Sequence, residues 1–193
     1  MLICVTNHRL CRGDFLQRIR RLAEAGPHAI MLREKDLAPP AYEELARRVK
    51  EICDNCGVRL ILHQQAAVAE KLGHSHLHLS MAALRAYRQS GRPRSIGASV
   101  HTVAEAEEAQ ALGAAYVVAG HIYATDCKQG LAPRGLPFLR QVCQAAQLPV
   151  FAIGGITAAN LPEVLASGAK GCCVMSAAMT CPDPAALVRD FTL

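Results

Sequence analysis

Short apolar runs alternate with amphipathic segments along the whole chain, and this alternation is the feature that most restricts the fold. The apolar runs lack polar residues at every second position, which indicates strands that are covered on both faces. Each run is followed by a segment whose apolar residues recur at helical spacing. Helical crossovers make the strands parallel, and eight strand–helix pairs of this kind close into a barrel.

The limits of the predicted elements come from these runs and from helix start and stop signals. Strands are expected at residues 2–6, 29–32, 59–62, 77–79, 95–100, 116–119, 149–153 and 171–175. Helices are expected at residues 14–25, 39–52, 66–72, 81–89, 103–112, 136–146, 158–165 and 184–191. We therefore predict an α/β protein with one domain, a (β/α)8 TIM barrel over residues 1–193. A doubly wound open sheet is the alternative, but no G-x-G-x-x-G follows the first strand.

Composition and charge narrow the classes of partner. The 193 residues are 51% hydrophobic and 19% charged, enough for one sizeable core, and the net charge is +5. Seven arginines fall in predicted surface segments: Arg18, Arg20, Arg21, Arg47, Arg48, Arg92 and Arg94. Because no aromatic residues are interleaved with them, we expect no nucleic-acid partner, whereas a small anionic ligand fits this charge. The N-terminal residues lack a charged leader, and no apolar run reaches the ~20 residues of a membrane span, so a cytoplasmic protein without a membrane partner is expected.

Cysteine and histidine clusters in the sequence have simpler explanations than metal binding. Cys4, Cys143 and the pair Cys172-Cys173 fall in apolar runs, so we expect reduced thiols. The single C-x-x-C, residues 53–56, has no second pair that would complete a zinc site. The histidines of the HSHLH stretch, residues 74–78, alternate onto one face, where a surface or core-lining role is favoured over a metal site.

In a TIM barrel the chemistry lies at the C-terminal ends of the strands, where the sequence places several polar groups. They are Arg33 and Lys35 after the second strand, His63 and Gln64 after the third, Ser99 and His101 after the fifth, His121, Thr125 and Lys128 after the sixth, Gly154 and Gly155 after the seventh, and Ser176, with its neighbour Met175, after the eighth. Backbone amides after the seventh and eighth strands commonly bind phosphate in this fold. The residues predict an enzyme that holds a small phosphorylated substrate next to a histidine.

Four motifs at these strand ends resemble, in order, those of the thiamine phosphate synthase superfamily. They are LREKD at residues 32–36, IGASVHT at 96–102, AIGGIT at 152–157 and VMSA at 174–177. In that family the barrel joins a pyrimidine diphosphate to a thiazole phosphate with magnesium. The resemblance implies that Thr125, Lys128, Gly155 and Ser176 surround the ligand phosphates.

The metal-binding residues of that family pattern are missing here. The pattern has an Asn-Asp pair after the third strand and an Asp after the fourth, where this chain has His63-Gln64 and Ala83. Mg²⁺ prefers oxygen anions, which glutamine and alanine do not provide. We therefore expect no bound metal and no cofactor, although Asp36 could provide a displaced carboxylate.

The loop at residues 120–131, GHIYATDCKQGL, is similar to the loop of the TenI-like branch of the superfamily, which contains thiazole tautomerases. This resemblance predicts an isomerase of thiamine biosynthesis that moves a proton within a carboxylated thiazole phosphate, with His121 as general acid and base. A structural histidine at a strand end is the alternative for His121, but catalysis is favoured because His121 follows Gly120 at the C-terminal end of a strand. His101 is expected to be a helix-start residue.

Two other functions stay open at this point. The first is a thiamine phosphate synthase, and the second is a non-catalytic protein that binds thiazole phosphate. The expected partner in each case includes the small-molecule thiazole phosphate. The oligomeric state is left open, with a homo-oligomer as one option.

Overall fold

The computed structural model describes residues 1–87, 95–128 and 130–192. Within these residues, eight strands follow one another in chain order around a closed barrel. Neighbouring strands pair in parallel, as Ile3 does with Ala29 and Val117 with Val150. The predicted (β/α)8 TIM barrel is therefore confirmed, and the doubly wound open sheet is excluded.

The strands are short and the helices vary widely in length. The strands are β1 (Leu2–Val5), β2 (Ala29–Leu32), β3 (Arg59–His63), β4 (His76–Ser80), β5 (Ser95–Val100), β6 (Tyr116–Gly120), β7 (Val150–Ile153) and β8 (Gly171–Val174). The helices in the described residues are α1 (Phe15–Glu24), α2 (Pro39–Asn55), α3 (Ala66–Lys71), α4 (Met81–Ala86), α5 (Val103–Ala111), α6 (Gly135–Ala145), α7 (Leu161–Ala166), α8 (Ser176–Thr180) and α9 (Pro184–Asp190). Short 3₁₀ helices occupy His8–Leu10 and Asp126–Lys128. In the part of the chain described here, no helix combines the length and the apolar character needed to cross a bilayer.

Most predicted boundaries agree with the structure to within one or two residues, and the exceptions have local causes. Helix α7 begins at Leu161, after a turn in which Asn160 Oδ1 accepts a hydrogen bond from the Thr157 amide at 2.8 Å. Helix α8 was not predicted, since five residues are too few to show a helical period. Helix α4 ends at Ala86 and Tyr87 is already extended, so the predicted continuation is wrong at residue 87. Residues 88 and 89 of that continuation, together with Arg92 and Arg94, lie outside the described residues.

Contacts divide the described chain into two compact units. The first contains the described residues of Met1–Leu77 and Val174–Leu193, and thus β1 to β3 with α1 to α3, α8 and α9. The second contains those of His78–Ser90 and Arg94–Cys173, and thus β5 to β7 with α4 to α7. The expectation of a single domain stays a prediction.

The strands contribute a large share of the apolar core, and the helices and loops contribute the rest. Every residue of β1, β2, β6 and β8 is buried, as expected for parallel strands covered on both faces. Five polar residues in the described part of the chain are buried with them: Thr6, Glu34, His78, His121 and Ser167. Because a buried polar group is costly without a hydrogen-bond partner, each of these residues marks a place where such a partner is needed.

All nine cysteines lie in described residues and are free thiols. In the C-x-x-C segment, Cys53 is buried near the C-terminal end of α2, and burial raises the pKa of its thiol to about 12. A thiol with this pKa is protonated at neutral pH and is a poor nucleophile or metal ligand.

Gly97 provides a test of the packing in the second unit. Gly97 on β5 pairs with Tyr116 on β6, and a Cβ at Gly97 would lie 2.0 Å from Cζ of the Tyr116 ring. The ring cannot easily retreat, since it packs edge-on against Phe151 at a centroid distance of 5.7 Å. Gly97→Ala should therefore lower the free energy of unfolding by about 3 kcal/mol, the upper end of the range for overpacking, as measured by urea denaturation.

The matched control is Gly57→Ala. Gly57 has a φ of +66°, but a Cβ there would meet nothing within 4 Å, so only backbone strain of about 1–2 kcal/mol is expected. Equal losses for both variants would show that the Tyr116 ring moves aside at little cost.

Candidate active site

A buried carboxylate organises the ends of β1 and β2 in the first unit. Glu34 is 3% exposed and accepts hydrogen bonds from Thr6 Oγ1 at 2.5 Å, from the His8 amide at 2.9 Å and from His8 Nδ1 at 2.7 Å. Thr6 Oγ1 in turn accepts the Arg33 amide at 2.9 Å. Glu34 therefore ties the loop after β1 to the loop after β2 and fixes the backbone between Arg33 and Lys35.

The predicted cations Arg33 and Lys35 flank this carboxylate in sequence. Arg33 is half-buried, and its Nη1 lies 3.8 Å from Sδ of Met175, so the structure brings these two predicted site residues together. Lys35 is exposed. Ser176, also exposed, is the first residue of α8.

His63 ends β3 next to these cations. Its amide donates to Tyr42 Oη at 3.2 Å, and Tyr42 Oη donates to the Leu32 carbonyl at 2.7 Å, so Tyr42 links the ends of β2 and β3. Burial, followed by the positive charges of Arg33 and Lys35, lowers the pKa of His63 to about 4. His63 is therefore neutral at pH 7 and adds no charge in the absence of an anion.

In the second unit, the loops after β6 and β7 lie in direct backbone contact. The Ile122 amide donates to the Ile153 carbonyl at 2.9 Å, and the Tyr123 amide donates to the Gly154 carbonyl at 3.0 Å. A Cβ at Gly154 would lie 2.4 Å from His121 Cβ, and a Cβ at Gly155 would lie 2.4 Å from the Ala124 carbonyl oxygen. Both glycines also have positive φ, so the contact and the turn each require glycine at these positions.

His121 is 9% exposed, and the loop that follows it folds back over its ring. Its Nε2 lies 3.3 Å from the Leu131 carbonyl, which can only accept, so Nε2 carries a hydrogen in this contact. The Arg134 amide donates to the His121 carbonyl at 2.9 Å. Both contacts hold the loop closed around His121.

Thr125 and Lys128 lie within this same loop. The Lys128 amide donates to the Thr125 carbonyl at 3.0 Å, and the Cys127 amide donates to Thr125 Oγ1 at 3.4 Å, which closes the short 3₁₀ helix. Lys128 is exposed. Gln129 of the loop motif lies outside the described residues.

Ser99 and His101 on the β5 side have different surroundings. Ser99 Oγ lies 2.8 Å from Nε2 of the buried His78. His101 is exposed and its amide donates to Glu105 Oε2 at 2.6 Å, while Thr102 Oγ1 accepts the Glu105 amide at 3.0 Å. Thr102 therefore caps the N-terminus of α5, the Glu105 side chain bonds back to the residue before this cap, and His101 belongs to the start of α5.

The residues present do not fit the magnesium that the family resemblance implies. Gln64 offers an exposed neutral amide, and Ala83 offers only a methyl group. The possible substitute Asp36 forms an ion pair with Arg9 at 2.7 Å. Over residues 1–87, 95–128 and 130–192, no group of three or more His, Cys, Asp or Glu side chains could hold a metal ion.

Comparison with known proteins identifies the family. A family model described as thiamine monophosphate synthase matches residues 2–178. A thiamine-phosphate synthase from Methanoregula boonei is 38% identical over 195 residues, which cover 98% of this chain and 90% of the relative. One from Methanocella arvoryzae is 36% identical over 195 residues, covering 98% and 92%. The structure of thiamine phosphate pyrophosphorylase from Pyrococcus furiosus superposes with a TM-score of 0.84 at 28% identity, covering 98% of this chain and 92% of that one. This chain belongs to the thiamine monophosphate synthase family, which is a family of enzymes.

These relatives correct the function predicted from the loop at residues 120–131. The superfamily prediction is confirmed. The prediction of an isomerase, a thiazole tautomerase of the TenI-like branch, is wrong, because relatives that are similar over nearly their whole length are named thiamine-phosphate synthases. The proton transfer predicted for His121 belonged to that reaction and is withdrawn with it. The choice of site residues stays a prediction.

The structure also draws attention to residues that sequence reasoning missed. Glu34, Thr6 and His8 form the anchor of the Arg33 loop, and Asn160 holds the glycine turn through a hydrogen bond of 3.0 Å from Nδ2 to the Gly155 carbonyl. Glu34 was visible as the charged residue inside LREKD, between two cations. Its burial could not be read from the sequence, because its partners lie 26 to 28 residues away.

Glu34→Gln tests the anchor of the Arg33 loop. An amide can accept at only one of its two positions, so at least one donor from Thr6 or His8 loses its acceptor. We expect a loss of about 1.5–3 kcal/mol in the free energy of unfolding, typical of a hydrogen bond to a charged group, measured by urea denaturation. Asp36→Asn is the control, since its pair with Arg9 is exposed and should contribute no more than about 1 kcal/mol. Similar losses for the two variants would contradict the anchoring role.

The lowered pKa of His63 predicts a pH dependence of stability. Between pH 6.5 and 4 the unfolded state binds a proton at His63 that the folded state does not, so stability falls as the pH falls through this window. His63→Gln should remove this contribution, and its unfolding midpoint in urea should fall less between pH 7 and pH 4.5 than that of the unchanged protein. His28 and His74, whose pKa values burial also lowers, contribute equally to both proteins. Parallel pH profiles would show that His63 is not held neutral.

Proposed function

We propose that this protein is a transferase of the thiamine-phosphate synthase type. It would join a pyrimidine diphosphate to a thiazole phosphate and release pyrophosphate. The observation that carries the proposal is the 38% identity, over nearly the whole of both chains, to a protein named thiamine-phosphate synthase. The cationic strand ends of the first unit and the glycine turn of the second support it, since both suit phosphorylated ligands.

The chemistry asks for binding and charge stabilisation more than for proton transfer. The bond between the pyrimidine-bearing carbon and the diphosphate oxygen breaks, and its electron pair leaves with pyrophosphate. The lone pair of the thiazole ring nitrogen forms the new carbon–nitrogen bond. No proton is removed from the nucleophile, so no general base is required, and stabilisation of the leaving charge is the main task of the protein.

Arg33 and Lys35 are the residues suited to the leaving charge in the first unit. Glu34 fixes the backbone between them, so the two cations need little reordering when an anion binds. Arg33 offers a planar fork of donors that matches phosphate oxygens, and Lys35 adds a point charge. An anion here would also favour the protonated form of His63 and thereby recruit a third cation.

The glycine turn after β7 and the loop after β6 are suited to a phosphate in the second unit. The protein holds both glycine carbonyls, that of Gly154 through the Tyr123 amide and that of Gly155 through Asn160 Nδ2. The peptide planes of the turn are therefore fixed, and backbone amides in such turns bind anions. Thr125 and Lys128 lie in the loop that this turn contacts, where a hydroxyl and an ammonium group can add to the same ligand.

His121 keeps a place in this proposal as a residue that holds the loop, not as a proton carrier. Its ring contacts the Leu131 carbonyl and its own carbonyl accepts the Arg134 amide, so it connects both ends of the loop that carries Thr125 and Lys128. The proposed reaction gives it no proton to move.

Incubation with both substrates tests the proposal. The purified protein should form thiamine phosphate and release one pyrophosphate for each product, as followed by chromatography and a coupled pyrophosphate assay. Arg33→Ala should raise the KM for the pyrimidine diphosphate by roughly 10- to 150-fold, the equivalent of a charge-assisted hydrogen bond of about 1.5–3 kcal/mol.

Arg47→Ala is the matched control for this substitution. Arg47 pairs with Glu43 on the exposed surface of α2, so its loss should leave KM unchanged. Binding of thiazole phosphate without any product would rule out the transferase. Product formation with an unchanged KM for Arg33→Ala would remove Arg33 from the site.

A further inference from the structure

A buried histidine in the second unit lies between two hydroxyl groups. His78 is 1% exposed, its Nε2 lies 2.8 Å from Ser99 Oγ, and its Nδ1 lies 3.2 Å from Tyr116 Oη. The three residues come from three consecutive strands, β4, β5 and β6. A polar chain of this kind inside a buried sheet is costly unless each member is matched to the next.

The surroundings of the chain fix the position of the Tyr116 hydroxyl. The Tyr116 ring lies over Gly97, where any side chain would overlap it, and it packs edge-on against Phe151. The His78 ring also packs against the Tyr116 ring, with the two ring centroids 5.5 Å apart. Gly97 and Ser99 lie on the same face of β5. Because Gly97 has no side chain, the Tyr116 ring fits above it, and the Tyr116 hydroxyl reaches His78, which also contacts Ser99.

A neutral imidazole has one nitrogen that donates and one that accepts, so the hydrogen bonds to Tyr116 and Ser99 must have opposite directions: if one hydroxyl donates to the ring, the other accepts from it. If Tyr116 Oη donates to Nδ1, the hydrogen of His78 is on Nε2 and is donated to Ser99 Oγ. The hydroxyl hydrogen of Ser99 must then point away from His78. In the Nδ1–H tautomer, Ser99 Oγ donates to His78 Nε2 and can then only accept hydrogen bonds from other groups.

We propose that His78 is a positioning residue which, through its Nε2–H tautomer, turns the Ser99 hydroxyl into a donor towards the substrate. A phenol is a better donor than a serine hydroxyl, which favours donation by Tyr116 to Nδ1. The ligand group served by Ser99 is then an acceptor, such as a phosphate oxygen. The inference rests on the proposed function only in that Ser99 belongs to the substrate site.

The tautomer can be observed directly, independently of any activity. Two-bond ¹⁵N–¹H spectra of protein with labelled histidine distinguish the two tautomers, and His78→Phe identifies the His78 signals among the eight histidines. We expect the Nε2–H form in the unchanged protein at pH 7 and a shift towards Nδ1–H in Tyr116→Phe, which keeps the ring and removes its hydroxyl. The Nδ1–H form in the unchanged protein would overturn the proposal.

A double-mutant cycle then tests whether His78 acts through Ser99. Ser99→Ala and His78→Phe should each weaken thiazole phosphate binding or kcat/KM by about tenfold, and the double variant should lose no more than Ser99→Ala alone. If the double variant instead loses about a hundredfold, the product of the two single losses, His78 has only a structural role. His74→Phe is the control, since His74 contacts the Leu60 carbonyl and should change stability without altering the Ser99 effect.

The outcomes separate this inference from the proposed function. Calorimetric binding of thiazole phosphate reports on Ser99 even if the protein makes no thiamine phosphate. A protein with full transferase activity and additive losses would overturn the inference alone. A protein without transferase activity but with a non-additive binding cycle would overturn the proposed function alone.

Discussion

Strands that are covered on both faces leave a buried polar side chain no water to bond, and this constraint fixes the contacts at several strand ends. A buried polar residue in such a sheet, or packed against it, must meet a partner from a neighbouring element. Glu34 meets Thr6 and His8, Tyr42 meets the Leu32 carbonyl, and His78 meets Ser99. Each of these contacts lies at or near a strand end, so the requirement for partners also fixes the geometry of the loops that follow.

Glycine is required where the backbones of two loops come into direct contact. Gly154 and Gly155 allow the loop after β7 to approach the loop after β6 so closely that no side chain would fit between them. Two backbone hydrogen bonds then join these loops, and the position of His121 follows from that join. The residues that give this region its chemistry are therefore held by peptide groups, which do not change when a side chain is substituted.

The sequence predicted the architecture well because hydrophobic period is a local property. β2 and β5 were predicted to the residue, and α5 begins at Val103 as expected. The interior hydrogen bonds were beyond reach, since Tyr116 and His78 are 38 residues apart and nothing local marks them as partners. The error in function has a related cause. The loop at residues 120–131 bonds largely to itself, to the residues that follow it and to the glycine turn, so its residues serve the closure of the loop. The proposed reaction would depend on groups in several other loops as well.

The departure of this chain from its family lies in side chains and not in backbone. Gln64 has a φ of +64°, a left-handed conformation that costs a residue other than glycine about 1–2 kcal/mol and that aspartate, the residue of the family pattern, tolerates better. Gln64 provides a neutral amide at that place, Asp36 is paired with Arg9, and Arg33 and Lys35 bring positive charge to His63 at the end of β3. Under the proposed function, stabilisation of the leaving diphosphate would fall to Arg33 and Lys35, whose backbone is fixed through Glu34 and Thr6.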